Sequence, residues 1–202
     1  MNTEIHEYRG IDNLVAAEVI KDDAEGYETG EVFYVAGTAE LTKKTESSSE
    51  AHYYDNRAAV VVNVTGKDEV TVSASALALD VYAKLTGQEF DEATGTLIEG
   101  ERTPAYFALG YITEREDGSK VLVWRNKGMF NIPDFVHKTK DEGTEANGQE
   151  LVFTGINTTH KFTVNGKKKT SKAVVTNAAT CGMTEEEFFS TVQTPETIVK
   201  AV

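Results

Sequence analysis

Most apolar residues lie in short runs rich in β-branched and aromatic side chains, and turn residues separate these runs, as is typical of β-strands. In residues 69–73 apolar and polar positions alternate, which indicates a strand with one face in water. The chain is therefore predicted to be mainly β. In chain order, the predicted strands cover residues 32–35, 59–64, 69–73, 106–112, 121–124, 151–156, 160–164 and 172–176.

Three turns are predicted between these strands. Gly66-Lys67-Asp68 separates the second and third strands, and Asp117-Gly118 separates the fourth and fifth. Asn165-Gly166 follows the strand at 160–164 and turns the chain toward the last strand. Asp-Gly and Asn-Gly are strong hairpin signals because both residues of a tight hairpin turn adopt positive φ.

Two helices are predicted, one over about residues 76–86 and a short one over about 184–193. The apolar face of the first helix consists of Leu77, Val81 and Leu85, at four-residue spacing. Gly87 is suited to follow its C-terminus. The second helix begins with the capping box Thr184-Glu185-Glu186-Glu187, whose acids lie at the positive end of the helix dipole.

Two stretches show neither the alternation of a strand nor the apolar spacing of a helix. Residues 43–56 (KKTESSSEAHYYDN) are polar and rich in serine, and residues 133–148 are highly charged. Loops of this length in compact domains tend to be functional or disordered. The 202 residues contain no evident linker, so a single domain is expected. We expect it to carry a mobile N-terminal arm (about 1–10), a long polar loop (43–56) and a C-terminal arm (about 167–202).

The charge is strongly negative and unevenly distributed. The chain has 33 acidic and 20 basic residues, a net charge of −13. Residues 121–202 hold nine acids and ten bases, so the acidic excess lies in the first 120 residues. Proteins that bind nucleic acid tightly need a surplus of Lys and Arg. The composition therefore argues against tight nucleic-acid binding.

Known catalytic and ligand-binding motifs are lacking. There is no Gly-x-Ser-x-Gly, phosphate-binding loop or His-Glu-x-x-His sequence, and the four histidines lie far apart. Cys181, the single cysteine, can form neither an internal disulfide nor a thiolate cluster within one chain. We expect no enzyme activity, cofactor or metal. Neither a secretory signal nor a membrane-spanning run is apparent, so synthesis in the cytoplasm is expected.

A series of short motifs extends along residues 10–165. In chain order they are GIDNLVAA at 10–17, DDAEGY at 22–27, the helix from Leu77 to Gly87, FD at 90–91, GTLIE at 95–99, PAYFALGY at 104–111, DG at 117–118, VWRNKG at 123–128 and KTK at 138–140. Their order and spacing resemble those of the major tail proteins, or tail tube proteins, of long-tailed phages (siphophages) and prophages of Gram-positive bacteria. The resemblance is strongest at 104–111 and weakest after Lys167.

This resemblance implies a β-sandwich or half-barrel of the phage tail tube type with one flanking helix. Six copies would form a ring, and stacked rings would form a conduit for viral DNA. The protein would be made in the host bacterial cytoplasm and reside in the virion tail. The implied partners are other copies of the chain, a tape measure protein, a tail terminator and baseplate or distal tail proteins, without a membrane.

Three sets of residues are assigned roles under this resemblance. The expected inter-ring loop contains Lys43, Lys44, Glu46, Glu50, Tyr53 and Tyr54. The expected inter-subunit helix contains Leu77, Val81 and Leu85. The expected lumen acids, which would let DNA pass without binding, are Glu31, Glu40, Asp68 and Glu69. More of the lumen charge is expected from residues 1–120 than from the rest.

Two other functions stay open at this point. A carbohydrate-binding or adhesion β-sandwich would use exposed aromatic residues such as Tyr53 and Tyr54. A hydrolase would need a pair of carboxylates, one of them with a raised pKa, from a group such as Glu89, Asp91 and Glu92. Trp124 lies in an apolar run and is expected in the core.

Overall fold

The computed structural model describes residues 6–134 and 148–200. It is mainly β, with 56% strand and 8% helix, and its antiparallel sheet curls into a half-barrel flanked by two helices. The mainly β class is confirmed, and of the two expected architectures, β-sandwich or half-barrel, the structure has the half-barrel. In the described residues the strands are β1 (Tyr8–Asp22), β2 (Tyr27–Thr29), β3 (Phe33–Tyr34), β4 (Thr38–Tyr54), β5 (Arg57–Ala74), β6 (Glu89–Asp91), β7 (Thr96–Ile98), β8 (Phe107–Arg115), β9 (Lys120–Phe130), β10 (Gln149–Gly155), β11 (Lys161–Val164), β12 (Lys167–Thr170) and β13 (Ala173–Asn177), and the helices are α1 (Leu79–Thr86) and α2 (Glu185–Ser190).

Nine of these strands form the large sheet. Its main path is β2-β1-β8-β9-β10-β5-β4, and β13 and β3 pair additionally with β9 and β1. Strand β13 pairs with residues 121–125 of β9, whereas β10 pairs with residues 128–130. Strand β10 also pairs with β5, but only between Asp68 and Ala74. The first half of β5 therefore has β4 as its described strand partner.

One face of the sheet carries the first core, which α1 covers. Leu85 is buried in this core, and Leu77 and Val81 pack against it. The helix begins at Leu79 rather than near residue 76, because the backbone is still extended at Ala78. It ends as predicted, with Gly87 at φ 73°, where a side chain would collide with the Thr103 carbonyl.

The opposite face carries a second core, which the C-terminal segment covers. Trp124 is fully buried there among Phe188, Phe189 and Val192, and its indole N–H donates to the Phe188 carbonyl at 3.0 Å. The expected C-terminal arm is therefore wrong for residues 173–192, which pack on the sheet of their own chain. The core position of Trp124 is confirmed.

The capping box of the second helix is confirmed. The Thr184 hydroxyl accepts from the Glu187 backbone N–H at 3.2 Å, and the Glu187 carboxylate accepts from the Thr184 N–H at 2.8 Å. The helix itself, Glu185–Ser190, ends before the predicted limit of residue 193 because Thr191 is already extended.

Two of the three predicted turns are present. Gly118, at φ 79°, joins β8 to β9, and Asn165-Gly166, at φ 50° and 74°, joins β11 to β12. The predicted turn at residues 66–68 is wrong, because β5 continues through them with an irregularity in its pairing with β4. The turn between β4 and β5 lies at Asp55-Asn56, where φ is 49° and 62°.

The predicted polar loop over 43–56 is also wrong. Residues 43–54 belong to β4 and pair with β5 along their length. The mobile N-terminal arm is wrong for residues 8–10, which begin β1 and pair with β8. Residues 1–5 of that arm, and residues 135–147 of the charged stretch, lie outside the described residues.

Candidate self-association surface

The distal parts of β4 and β5 form a two-stranded ribbon, defined as residues 46–54 and 57–65. All of its described side chains are exposed, on both faces. In the described structure neither outer edge of the ribbon has a strand partner, because β10 pairs with β5 only as far as Asp68. Nine residues per strand correspond to about 30 Å. An isolated two-stranded hairpin is only marginally stable in water, so the ribbon would gain stability from a partner.

One face of the ribbon bears an apolar stripe formed by Val60, Val62 and Val64. These side chains are 50%, 45% and 57% exposed, respectively. The register places Glu50 opposite Val62 and Ser48 opposite Val64, and opposed residues of antiparallel strands share a face. The stripe is therefore bordered by polar side chains. An apolar strip with a polar border is typical of a protein-binding surface.

The ribbon tip carries two exposed aromatic residues. Tyr53 and Tyr54 are 69% and 65% exposed and directly precede the Asp55-Asn56 turn. Asp and Asn tolerate the positive φ values of such a turn better than other residues with side chains. The turn thus holds both rings at the far end of the ribbon.

A buried ionic cluster lies where the ribbon joins the sheet. We term it the base cluster because it is at the base of the ribbon. The Asp68 carboxylate accepts hydrogen bonds from Arg125 (2.8 Å), Thr45 (2.9 Å) and Lys172 (3.3 Å), and the Lys43 ammonium lies 3.9 Å from it. Burial by itself raises the pKa of Asp68. The hydrogen bonds from Thr45 and Lys172 and the charges of Lys172 and Lys43 outweigh that effect and hold the pKa below its ordinary value.

The base cluster ties four parts of the fold together. Asp68 is on β5, Thr45 on β4 and Arg125 on β9, while Lys172 directly precedes β13. The Lys172 ammonium also donates to the carbonyl of Gly66, which directly follows the ribbon on β5. The cluster therefore fixes the direction in which the ribbon leaves the sheet.

The structure places only two of the four predicted lumen acids on one exposed surface. Asp68 is wrong as a lumen acid, because it is buried and neutralised by the base cluster. Glu40 and Glu69 are exposed and lie on the same face of β4 and β5, where Lys44 is directly opposite Glu69. Glu31 is exposed in the segment between β2 and β3, which pair with β1 instead.

The other predicted sites have different outcomes. The six expected loop residues lie in β4, with Lys43 and Lys44 near the base cluster and the other four in the ribbon. Glu46 forms an ion pair of 3.3 Å with Lys67. The helix residues Leu77, Val81 and Leu85 face the first core of their own chain, so this face is not free for a neighbouring subunit.

A groove of about 610 Å³ opens beside the base cluster. Its apolar residues include Val121 and Val123, which also belong to the first core, and Leu41. Val175 lines the groove and is 60% exposed, so its side chain is accessible to a partner that enters the groove.

The polar lining of this groove is mainly cationic. Arg9, Lys43 and Arg125 line it together with a single acid, Glu40. One terminal nitrogen of Arg125 donates to the Tyr111 hydroxyl at 3.1 Å, and the other donates to the Asp68 carboxylate at 2.8 Å. Its Nε is buried and has no hydrogen-bond partner in the described part of the chain. The groove thus combines apolar side chains with basic ones, and Arg9 is the base among them that lies outside the base cluster.

Three properties of residues 6–134 and 148–200 bear on metal binding, membranes and hydrolysis. No group of three His, Cys, Asp or Glu side chains there is arranged to hold a metal ion. None of the described helices has both the length and the apolar character needed to cross a membrane. Hydrogen bonds from Thr94 and Ala93 hold the pKa of Asp91 below its ordinary value, the opposite of the shift that a hydrolytic acid requires.

The base cluster was missed in the sequence, although a signal for it exists. Arg125, Asn126 and Lys127 interrupt the apolar residues between Val121 and Phe130. A buried strand with a charged residue at its centre requires a buried counter-charge. The sequence does not identify which of 33 acids supplies it.

Comparison with known proteins finds no match. Neither the protein-family models nor the curated proteins compared with this sequence match it. The ribbon, the base cluster and the groove are therefore the features on which a functional inference depends.

Proposed function

We propose that this protein is a structural virion protein that assembles with copies of itself into the tail tube of a long-tailed phage or prophage. The observation that carries the proposal is the ribbon, which is exposed on both faces and open on both edges in the described structure. A partner that covers the ribbon would bury its valine stripe and pair its backbone groups. Another copy of the chain is a partner that is always present at equal concentration.

The ribbon has only part of the protection that monomeric proteins give to edge strands: Glu46 and Glu50 lie on β4 and its pairing is irregular between His52 and Tyr53, but the valine stripe is uncovered. Natural edges are commonly protected by prolines, inward-pointing charges or coverage by another element. Residues 46–65 contain no proline and include the run Val60-Val61-Val62. In a head-to-tail assembly each ribbon would meet a different surface of the next copy, and such contacts close into rings or continue as stacks.

A tube function also accounts for the acidic surface. Glu40 and Glu69 occupy one exposed face of neighbouring strands, and Glu150 follows on β10. Carboxylates on a lumen wall repel phosphates, so DNA would pass without being held. Under this proposal the rings are hexameric, as the resemblance implies. The further partners are then a tape measure protein, a tail terminator and baseplate or distal tail proteins.

Electron microscopy and sedimentation velocity test the proposal directly. Concentrated wild-type protein is expected to form rings or hollow tubes in negative stain and to sediment as a concentration-dependent series. Val62→Asp is expected to stay monomeric with an unchanged Tm, because Val62 is exposed in the monomer. Ile98→Asp is the matched control, since Ile98 is 50% exposed on the separate β6–β7 hairpin, and it should assemble normally.

Two outcomes would contradict this function. Wild-type protein that remains monomeric at every concentration would argue against self-assembly. Solid fibres without a central channel would argue against a tube, even if Val62→Asp prevents them.

An adhesion or carbohydrate-binding module is the second candidate, and the exposed tyrosines at the ribbon tip favour it. Aromatic rings can pack against the apolar faces of sugars. Glycan-array binding by the wild-type monomer that disappears in Tyr53→Ala would support this function. Binding unaffected by Tyr53→Ala and Tyr54→Ala would remove the aromatic anchor on which it depends.

A further inference from the structure

We infer that the groove beside the base cluster is the seat for the ribbon of a second copy of this chain. Each subunit would then insert its ribbon into one neighbour and receive the ribbon of another. The inference rests on the proposed self-assembly, and it identifies the two surfaces that meet.

The ribbon and the groove have complementary apolar surfaces. The ribbon offers the stripe of Val60, Val62 and Val64, while the groove offers Leu41 and the exposed side of Val175. A volume of about 610 Å³ accommodates several aliphatic side chains but not a whole two-stranded ribbon. The stripe therefore enters the groove, and the backbone of the ribbon lies across its rim.

Their charges are complementary as well. Residues 46–65 contain three acids, Glu46, Glu50 and Asp55, and one base, Arg57. The residues that line the groove have the reverse balance, with three bases and one acid. Arg125 and Lys43 also face Asp68 in the base cluster, so Arg9 is the lining base that Asp68 does not hold. Glu50 lies opposite Val62 at the centre of the stripe, so inserting the stripe brings a carboxylate to the cationic lining.

The ribbon of the same chain does not reach this groove. Lys43 lines the groove, and β4 continues from it without interruption to Tyr54. Glu50 is seven residues farther along this strand, about 23 Å away at the usual rise. Because a continuous strand does not fold back on itself, the occupant is a ribbon from another copy, and the contact is head-to-tail.

Disulfide trapping tests the seat. Val62→Cys and Val175→Cys are made in separate chains, mixed under assembly conditions and oxidised. A covalent dimer containing one chain of each type is expected, because the two positions meet only across the contact. Val62→Cys mixed with Ile98→Cys controls for random collision, and Val62→Cys mixed with wild type controls for the buried Cys181.

Charge exchange tests the electrostatic part of the contact. Arg9→Glu is expected to raise the concentration needed for assembly about fivefold, as for loss of an exposed charge pair. Adding Glu50→Arg should restore assembly toward the wild-type concentration. Lys169→Glu makes the same change of charge on the exposed strand β12, outside the groove, and should leave assembly unchanged.

The outcomes separate this inference from the function on which it rests. Rings or tubes in which Val62→Cys reacts as well with Ile98→Cys as with Val175→Cys would overturn the seat and leave self-assembly intact. Failure of Glu50→Arg to rescue Arg9→Glu would likewise overturn the proposed pairing of charges. Monomers in every wild-type preparation would overturn both the seat and the proposed function.

Discussion

The base cluster provides the sharpest test of how the ribbon is held. Asp68→Asn keeps the size of the side chain but removes the negative charge that Arg125, Lys172 and Lys43 surround. Arg125 is almost fully buried, so the substitution leaves a buried cation without its counter-charge. Removing one partner of a buried ion pair typically destabilises a protein by about 3–5 kcal/mol.

The structure favours the lower end of this range. Lys172 keeps its hydrogen bond to the Gly66 carbonyl, and the Arg125 guanidinium keeps its bond to the Tyr111 hydroxyl. The amide that replaces the carboxylate still has an oxygen that can accept a hydrogen bond. We therefore expect the free energy of unfolding to fall by about 3 kcal/mol, which corresponds to a shift of about 1.5 M in the urea midpoint at a slope of about 2 kcal/mol/M.

The single tryptophan makes the measurement direct. Trp124 precedes Arg125 on β9 and is fully buried, so its fluorescence reports unfolding of the sheet next to the cluster. Urea titrations are made on monomeric protein at low concentration. Glu69→Gln is the matched control, since it removes an exposed carboxylate from the adjacent position and should change the unfolding free energy by less than about 0.5 kcal/mol.

The pH dependence gives a second readout of the same charge. Because the folded state lowers the pKa of Asp68, its stabilising effect is complete above the unfolded pKa of about 3.9 and is lost as the pH falls through the folded pKa. The difference in stability between wild type and Asp68→Asn should be constant from about pH 5 to 8 and should shrink below about pH 4. Equal effects of Asp68→Asn and Glu69→Gln, or a difference that does not shrink in acid, would refute the role of the cluster.

Three further predictions concern packing and assembly. In thermal unfolding, Gly128→Ala should lower the free energy of unfolding by more than about 2 kcal/mol, because its Cβ would lie 2.3 Å from the Phe153 ring. Gly100→Ala is the control: its Cβ would meet no atom within 4 Å, so the free energy of unfolding should not change. Phe188→Ala should cost about 3–4 kcal/mol and shift the Trp124 emission to longer wavelength; an unchanged spectrum would contradict the packing of the C-terminal segment on the sheet. Light scattering should show more assembly at about 150 mM salt than at about 10 mM, because salt screens the repulsion between copies of charge −13. Equal assembly at both salt concentrations would contradict this role of charge repulsion.

Local sequence signals correctly predicted the turns and helix ends that are stabilised by contacts between residues close together in the chain. The turns at Gly118 and Asn165-Gly166, the C-terminus of α1 at Gly87 and the capping box at Thr184 all depend on residues close together in the chain. Each combines a specific residue type with a specific backbone conformation. Such features can be recognised without knowing the rest of the fold.

The ribbon was mispredicted because β4 has no apolar periodicity of its own. Between Lys43 and Tyr54 its side chains are polar or exposed, so hydrophobic patterning gives no indication of a strand. Its strand conformation comes from pairing with β5, whose valines lie opposite these polar residues. The apparent turn at Gly66 was equally misleading, since the glycine lies at an irregularity within a continuous strand.

The same error explains why Asp68 was assigned to the surface. An acid in a predicted turn is expected in water, whereas an acid on the inner face of a continuous strand must find cations. The four groups around Asp68 come from sequence positions as far apart as Lys43 and Lys172, and only the curvature of the sheet brings them together. The base cluster therefore fixes the root of a ribbon whose outer part has no support within the described structure. Because the root is fixed, a second copy would have to order only the outer, marginally stable part of the ribbon, which limits the conformational entropy lost when it binds.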